Sequence, residues 1–242
     1  YEEYSTYSEV DERDTIPGFK SLAIKDELTT FGTGFNFKLG IIYRITDWVR
    51  VSGAFHTPTF FSLTDEWQRT MTSKLDFGSY NDKSPRGRYE YSLMTPMRAI
   101  GGVAFVIGQR GTVSAEYEMV DYSEARLSEK NETGGFFNQN EAIRNNYTAA
   151  GNIRVGTEWV FMPFSVRAGY ALYGSPFKSK LNDAAEQVIS AGVGIREQNY
   201  FIDFAYVNAS SKYDYYLYPE VAEPAKSKAS RHAFVTTLGL RF

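Results

Sequence analysis

The run IRVGTEWVFMPFSVRAGYAL, residues 153–172, constrains the fold more than any other stretch, because it has a period of two on both sides of a Met-Pro pair. On the first arm Ile153, Val155, Thr157, Trp159 and Phe161 alternate with Arg154, Gly156, Glu158 and Val160. On the second, Phe164, Val166, Ala168, Tyr170 and Leu172 alternate with Ser165, Arg167, Gly169 and Ala171. Successive side chains of a strand point to opposite faces, so each arm has one apolar, ring-rich face and one face of small and charged residues. With Met162-Pro163 as a two-residue turn, Phe161 faces Phe164 and Glu158 faces Arg167. A slip of one residue would exchange the two faces, so the pattern also sets the register.

The same alternation recurs along the chain. Residues 1–10 read as the end of a strand whose beginning lies outside the chain, followed by a charged turn through Asp11–Asp14 and Pro17-Gly18. Residues 19–44 form one long extended segment, with Phe35, Phe37, Leu39, Ile41 and Tyr43 on one face. A turn at Thr46-Asp47-Trp48 leads to a strand with Val49, Val51 and Phe55 outward. Residues 88–108 and 112–122 pair through a loop of odd length, in which Gly111 takes the left-handed position. Strands at 186–196 and from Tyr200 onward join through a tight turn at Gln198-Asn199. The last strand, HAFVTTLGLRF, carries Phe234, Leu238, Leu240 and Phe242 outward.

Long connections separate these hairpins: residues 57–88, 124–146 and 210–230, with a shorter loop at 174–183. In the first, Leu63, Trp67, Met71 and Leu75 recur every four residues behind Ser62 and Asp65, as in a capped amphipathic helix. They also sit at even spacing in Thr-rich text, and extension of the strands is the favoured reading. The tip, Ser79–Gly87, reads as a loop. The sum is nine full strands joined alternately by short turns and long polar loops, the asymmetry of a transmembrane barrel.

Composition narrows the function. In a chain of 242 residues, a formal charge of -3 leaves no basic footprint for a nucleic-acid partner. With no Cys and two His, thiolate metal sites are excluded, and neither a metal nor any other cofactor is expected. Among the residues, 18 Tyr and 18 Phe supply the rings a water–lipid boundary uses. No apolar run is long enough for a transmembrane helix. A mean hydropathy of -0.38 still suits strands that face lipid on one side only. His56 and His232 fall on separate strands and opposite faces, which disfavours haem ligation and any Ser/His/Asp constellation. The protein is not expected to be an enzyme.

On the polar face, Lys38, Arg44, Arg50, Arg98, Glu116, Glu118, Glu158, Arg167, Arg196, Asp203 and Arg241 are candidates to line a lumen, where cross-strand pairing would hold them. In the long connections, Phe60, Phe61, Trp67, Met71, Phe136 and Phe137 are candidates to catch a hydrophobic ligand, against a plainer role in loop packing and an aromatic girdle.

The segments TGFNFKLGIIYRITDWVRVSGAFHTPTF, TPMRAIGGVAFVIGQRGTVSAEYEMVDYS and TTLGLRF resemble the long-chain fatty-acid transporter family of outer-membrane proteins, in particular its Bacteroides-type members labelled hemin receptors. The resemblance covers most of residues 30–126 and, more weakly, the rest. It implies an antiparallel transmembrane β-barrel of fourteen strands, of which residues 1–242 would supply the last nine to ten as a single domain, with the plug and the lateral gate ahead of Tyr1. It further implies a place in the outer membrane, lipid as a neighbour and a conduit for small hydrophobic compounds such as long-chain fatty acids. One branch of the superfamily instead supplies structural barrels to secretion or surface-protein complexes, so other outer-membrane proteins are alternative partners. If the apolar face were a core, a soluble β-sandwich binding module would remain.

Overall fold

The computed structural model describes residues 1–12, 15–129, 135–178, 183–215 and 224–240. Along the chain run β1 (Glu2–Asp11), β2 (Phe19–Phe35), β3 (Lys38–Arg44), β4 (Val49–His56), β5 (Phe60–Leu75), β6 (Gly78–Lys83), β7 (Gly87–Met94) and β8 (Arg98–Ile107). They continue as β9 (Gly111–Asp121), β10 (Arg126–Glu129), helix α1 (Phe137–Asn146), β11 (Ala149–Phe161), β12 (Phe164–Tyr173), β13 (Glu186–Arg196), β14 (Tyr200–Tyr215) and β15 (Ala225–Leu240). The chain divides into two compact units: Tyr1–Phe35, Thr59–Met94 and Arg126–Gln139 in the first, and Asn36–Pro58, Thr95–Ala125 and Asn140–Phe242 in the second.

The second unit is a 9-stranded antiparallel sheet in the order β15-β14-β13-β12-β11-β9-β8-β4-β3. Its strands are the nine read from the alternation. Phe161 faces Phe164 and Glu158 faces Arg167, as the Met162-Pro163 turn requires. The β13–β14 turn closes with the Glu197 amide donating to the Tyr200 carbonyl at 2.9 Å. Among the described residues β3 and β15 each have one neighbour, so the sheet has two open edges.

The first unit is a 6-stranded sheet in the order β1-β2-β5-β7-β10, with β6 paired to β5. The connection over 57–88 is strand, the favoured reading, and not helix; its tip, expected to be a loop over Ser79–Gly87, instead carries β6, with residues 84–86 alone between β6 and β7. Gly78–Lys83 returns along β5 from a two-residue turn that pairs Leu75 with Gly78. The extended segment over 19–44 is broken at Asn36-Phe37, and the strand over 88–108 is broken at Thr95-Pro96-Met97. In the latter the proline, which has no N–H, interrupts the ladder.

Three further corrections fall in the second unit and the connections. The loop after β8 has the predicted odd length, but Gly108, with φ +59, takes the left-handed position, and Gly111 begins the next strand opposite Ile107. The connection over 124–146 contains β10 and helix α1, which no apolar period announced. The connection over 210–230 includes the end of β14 and the start of β15, in unbroken register from Tyr200↔Leu240 to Tyr215↔Ala225. Phe242 and Arg241, and part of the Asp11–Asp14 turn, lie outside the described residues.

Candidate functional site

The side chains of the 9-stranded sheet segregate by parity. On one face Leu39, Val51, Phe105, Tyr117, Val155, Val166, Ile189, Phe204 and Leu238 fall in adjoining rows across the paired strands. These residues are not a core. Val155 is 43% exposed, Val193 56% and Phe234 83%. Among the described residues, the buried apolar ones are Leu63, Val120, Ala150 and Ala209. A sandwich would bury this face under a second sheet. Rings border the band at both ends. Near the tight turns stand Trp48, stacked on Phe105 at 6.2 Å, with Phe161, Phe164 and Tyr200. Toward the other end stand Phe55, Tyr117, Tyr170 and Tyr206, the last packed on Phe234 at 5.2 Å.

The opposite face carries the polar candidates, and two networks form there. In the first, Glu118, only 3% exposed, accepts from Arg154 Nη2 at 2.6 Å, Asn152 Nδ2 at 2.9 Å and Arg98 Nη1 at 3.3 Å. Arg154 also pairs with Glu116, and its guanidinium lies 5.6 Å from the Tyr173 ring centre. In the second, Glu158 accepts from Arg167 Nη2 at 3.1 Å and Arg196 Nη2 at 3.4 Å. Arg167 Nη1 stands 3.0 Å from Asp203 Oδ1, an ion pair whose angles fall short of a hydrogen bond. Two arginines balance two carboxylates in each network, so partly buried charge is neutralised locally.

The Arg167–Asp203 pair spans from β12 to β14 across β13, and a glycine permits this. A Cβ on Gly194 would stand 2.0 Å from Asp203 Oδ1 and 2.7 Å from the buried Ser165 Oγ. Beside this network a cavity of about 550 Å³ is lined by Ser114, Gly156, Glu158, Arg167, Gly169, Ser190 and Gly192 among others. Lys38 and Arg50 form no ion pair among the described residues, and Arg44 pairs with Asp47 beside it in the turn. The described lumen candidates therefore separate into cross-strand paired groups on β8, β9, β11, β12, β13 and β14, Arg44 paired within its own turn, and Lys38 on β3 and Arg50 on β4 outside any ion pair.

In the first unit Phe61, Leu63, Trp67 and Met71 share one face of β5 with Tyr89 and Tyr91 of β7. Phe136 lies 5.9 Å from the rings of both tyrosines, which stack on each other at 6.2 Å. Leu63 is buried beneath this cluster, and Tyr1 meets Phe61 edge-on at 6.4 Å. Asp65 accepts from Thr30 Oγ1 at 2.7 Å and from the Tyr91 hydroxyl at 3.3 Å. Burial, with the Asp65 charge adding to it, holds the Tyr91 phenol above its usual range. Four of the six ligand candidates, Phe61, Trp67, Met71 and Phe136, are thus on one face. Phe60 points to the other, opposite Phe35, and Phe137 is exposed at the start of α1. Sequence reading missed Tyr89 and Tyr91, although their spacing of two within YEYS was the available signal.

No family model matches the chain, and no curated protein matches it.

Proposed function

We propose that the 9-stranded sheet is part of the wall of an outer-membrane β-barrel, and that the barrel conducts small hydrophobic compounds. The observation that carries this reading is the exposed apolar band with rings at both borders, set against a polar face whose charges are largely paired. A bilayer supplies the apolar partner that the band lacks in water, and ring girdles are the usual borders of a lipid-facing barrel wall. A wall with open edges leaves backbone groups unsatisfied in hydrocarbon, so the barrel closes only when further strands pair with β3 and β15.

In this reading the small-residue cavity and the ion-paired clusters form the lumen side. The Phe61–Trp67–Tyr91–Phe136 face of the first unit supplies apolar area where a compound with a long hydrocarbon or ring body first leaves water. The class of cargo follows from the family resemblance, with long-chain fatty acids its representative.

Uptake of a labelled long-chain fatty acid tests the reading in cells that do and do not make the protein. Uptake should depend on it, and affinity purification in detergent should recover no stoichiometric partner. Unchanged uptake together with a stoichiometric partner would replace the conduit with a structural barrel in a secretion or surface-protein complex.

A further inference from the structure

We propose that the outward face of β13, β14 and β15, just beyond the apolar band, binds the phosphate groups of a phosphorylated glycolipid in the surrounding leaflet. This rests on the membrane reading above. Because the β14–β15 register is unbroken, the outward row can be followed from the band upward. Tyr206 faces Phe234, Asn208 faces His232, Ser210 faces Ser230, and Lys212 faces Lys228. The row therefore changes from apolar, through ring and amide, to hydroxyl and then cation, in the order of an acyl region, its boundary and a polar headgroup.

The facing lysines are the informative pair. Like charges directly opposite on neighbouring strands destabilise a sheet unless an anion lies between them. Neither ammonium has a carboxylate within ion-pair distance among the described residues. The two stems border a cavity of about 380 Å³ whose other walls include Gln187, Ser210 and Asp183. The Asp183 carboxylate accepts from the Ala185 amide at 3.2 Å and so has a role of its own in the loop.

Height fits as well. Lys212 is four residues beyond the Asn208–His232 pair, which at strand rise is about 13 Å along β14 and about 9 Å of height at a tilt near 45°. A lysine stem is long enough to lower its ammonium toward a phosphate plane below it. At the boundary the His232 ring is held by the Tyr206 hydroxyl, 2.7 Å from Nδ1, and by Asn208 Nδ2 at 3.2 Å, which gives sugar hydroxyls a fixed polar ledge. A headgroup with phosphates on a sugar frame matches both features. A zwitterionic phospholipid would bring its own cation to the lysines.

The test is native mass spectrometry of the chain in detergent micelles, offered lipid A with two phosphates, the same lipid without phosphates, and inorganic phosphate. The expected result is retention of the diphosphorylated lipid alone. Retention should fall about tenfold to thirtyfold in the Lys212→Ala/Lys228→Ala double variant and survive in the Lys212→Arg/Lys228→Arg variant. Relieving the facing charges should leave thermal stability of the alanine variant unchanged or raised, which separates loss of the site from loss of the fold. Equal retention by the alanine variant, equal retention of the phosphate-free lipid, or inorganic phosphate bound as tightly as the lipid would each overturn the site. A chain that is folded and monodisperse without detergent would instead overturn the membrane reading beneath it.

Discussion

The two sheets are built from the same strand grammar and differ in where they put charge. In the second unit the outward rows of β8, β12 and β13 carry no Lys, Arg, Asp or Glu: Val103 and Phe105, then Val166, Ala168 and Tyr170, then Ile189 to Ile195. In the first unit both faces are charged. Asp26, Asp65 and Arg69 share the face of the aromatic cluster, and Lys25, Glu27, Glu66 and Arg88 the other. A face in water gains nothing from excluding charge, whereas in hydrocarbon a single charge is costly. On the proposed membrane reading, the boundary between solvents would fall within one chain, whatever the arrangement of the two units.

The largest effect expected from breaking this contrast comes from Val155→Arg. Near the middle of the band it should cost about 2–4 kcal/mol in lipid, whereas Ser62→Arg on the exposed polar face of β5 should stay within about 0.5 kcal/mol. Unfolding by denaturant in lipid vesicles measures both, and equal costs would erase the distinction. Next is Gly194→Val. Its side chain would occupy the path of Asp203 to Arg167, so it should destabilise by about 1–3 kcal/mol through overpacking and free Asp203. The same change combined with Asp203→Ala should cost less than the sum of the two, because the collision is removed.

A smaller effect is expected from Phe136→Ala. It removes an aromatic contact to Tyr89 and Tyr91 worth about 1 kcal/mol and should weaken binding of a hydrophobic fluorescent probe to the first unit, with the second unit's charge networks unaffected.

The smallest is a pH effect. Arg69 donates to both oxygens of Asp26, at 2.6 Å each, and these hydrogen bonds hold the Asp26 carboxyl below the ordinary carboxylate range. A depressed carboxyl contributes stability that is present above its unfolded value, near 3.9, and is lost as pH falls through the lower folded value. Hydrogen exchange of the β2–β5 ladder should therefore quicken only in acid below about pH 4, and Arg69→Gln should move the Asp26 titration back toward its ordinary position.

The nine strands of the second unit were legible because one face excludes charge and so alternates strictly, as in Val166, Ala168 and Tyr170 against Ser165, Arg167 and Gly169. Parity also gave the odd length of the loop after β8, but parity is blind to which glycine turns, and Gly108 does so. Where both faces carry polar residues the pattern disappears. The upper parts of β14 and β15, with Ser210, Ser211 and Lys212 opposite Ser230, Ala229 and Lys228, offer no amphipathic contrast and read as loop. The same holds for β6 and for α1, none of whose residues is buried. The polar-face charges were legible as a set, but the reach of Asp203 across Gly194 depends on three strands meeting, which no single segment encodes. Four of the six ligand candidates converge, and the ring pair Tyr89–Tyr91 that completes their face lay in text read as the start of a longer strand.

Spin labels placed one at a time along β12, with the protein in lipid vesicles, test the central claim most directly. The account predicts a period of two: labels at Val166, Ala168 and Tyr170 should collide with dissolved oxygen and be shielded from a water-soluble nickel complex, and labels at Arg167 and Gly169 should show the reverse. Equal access of the nickel complex to both sets would contradict a lipid-facing wall and return the sheet to water.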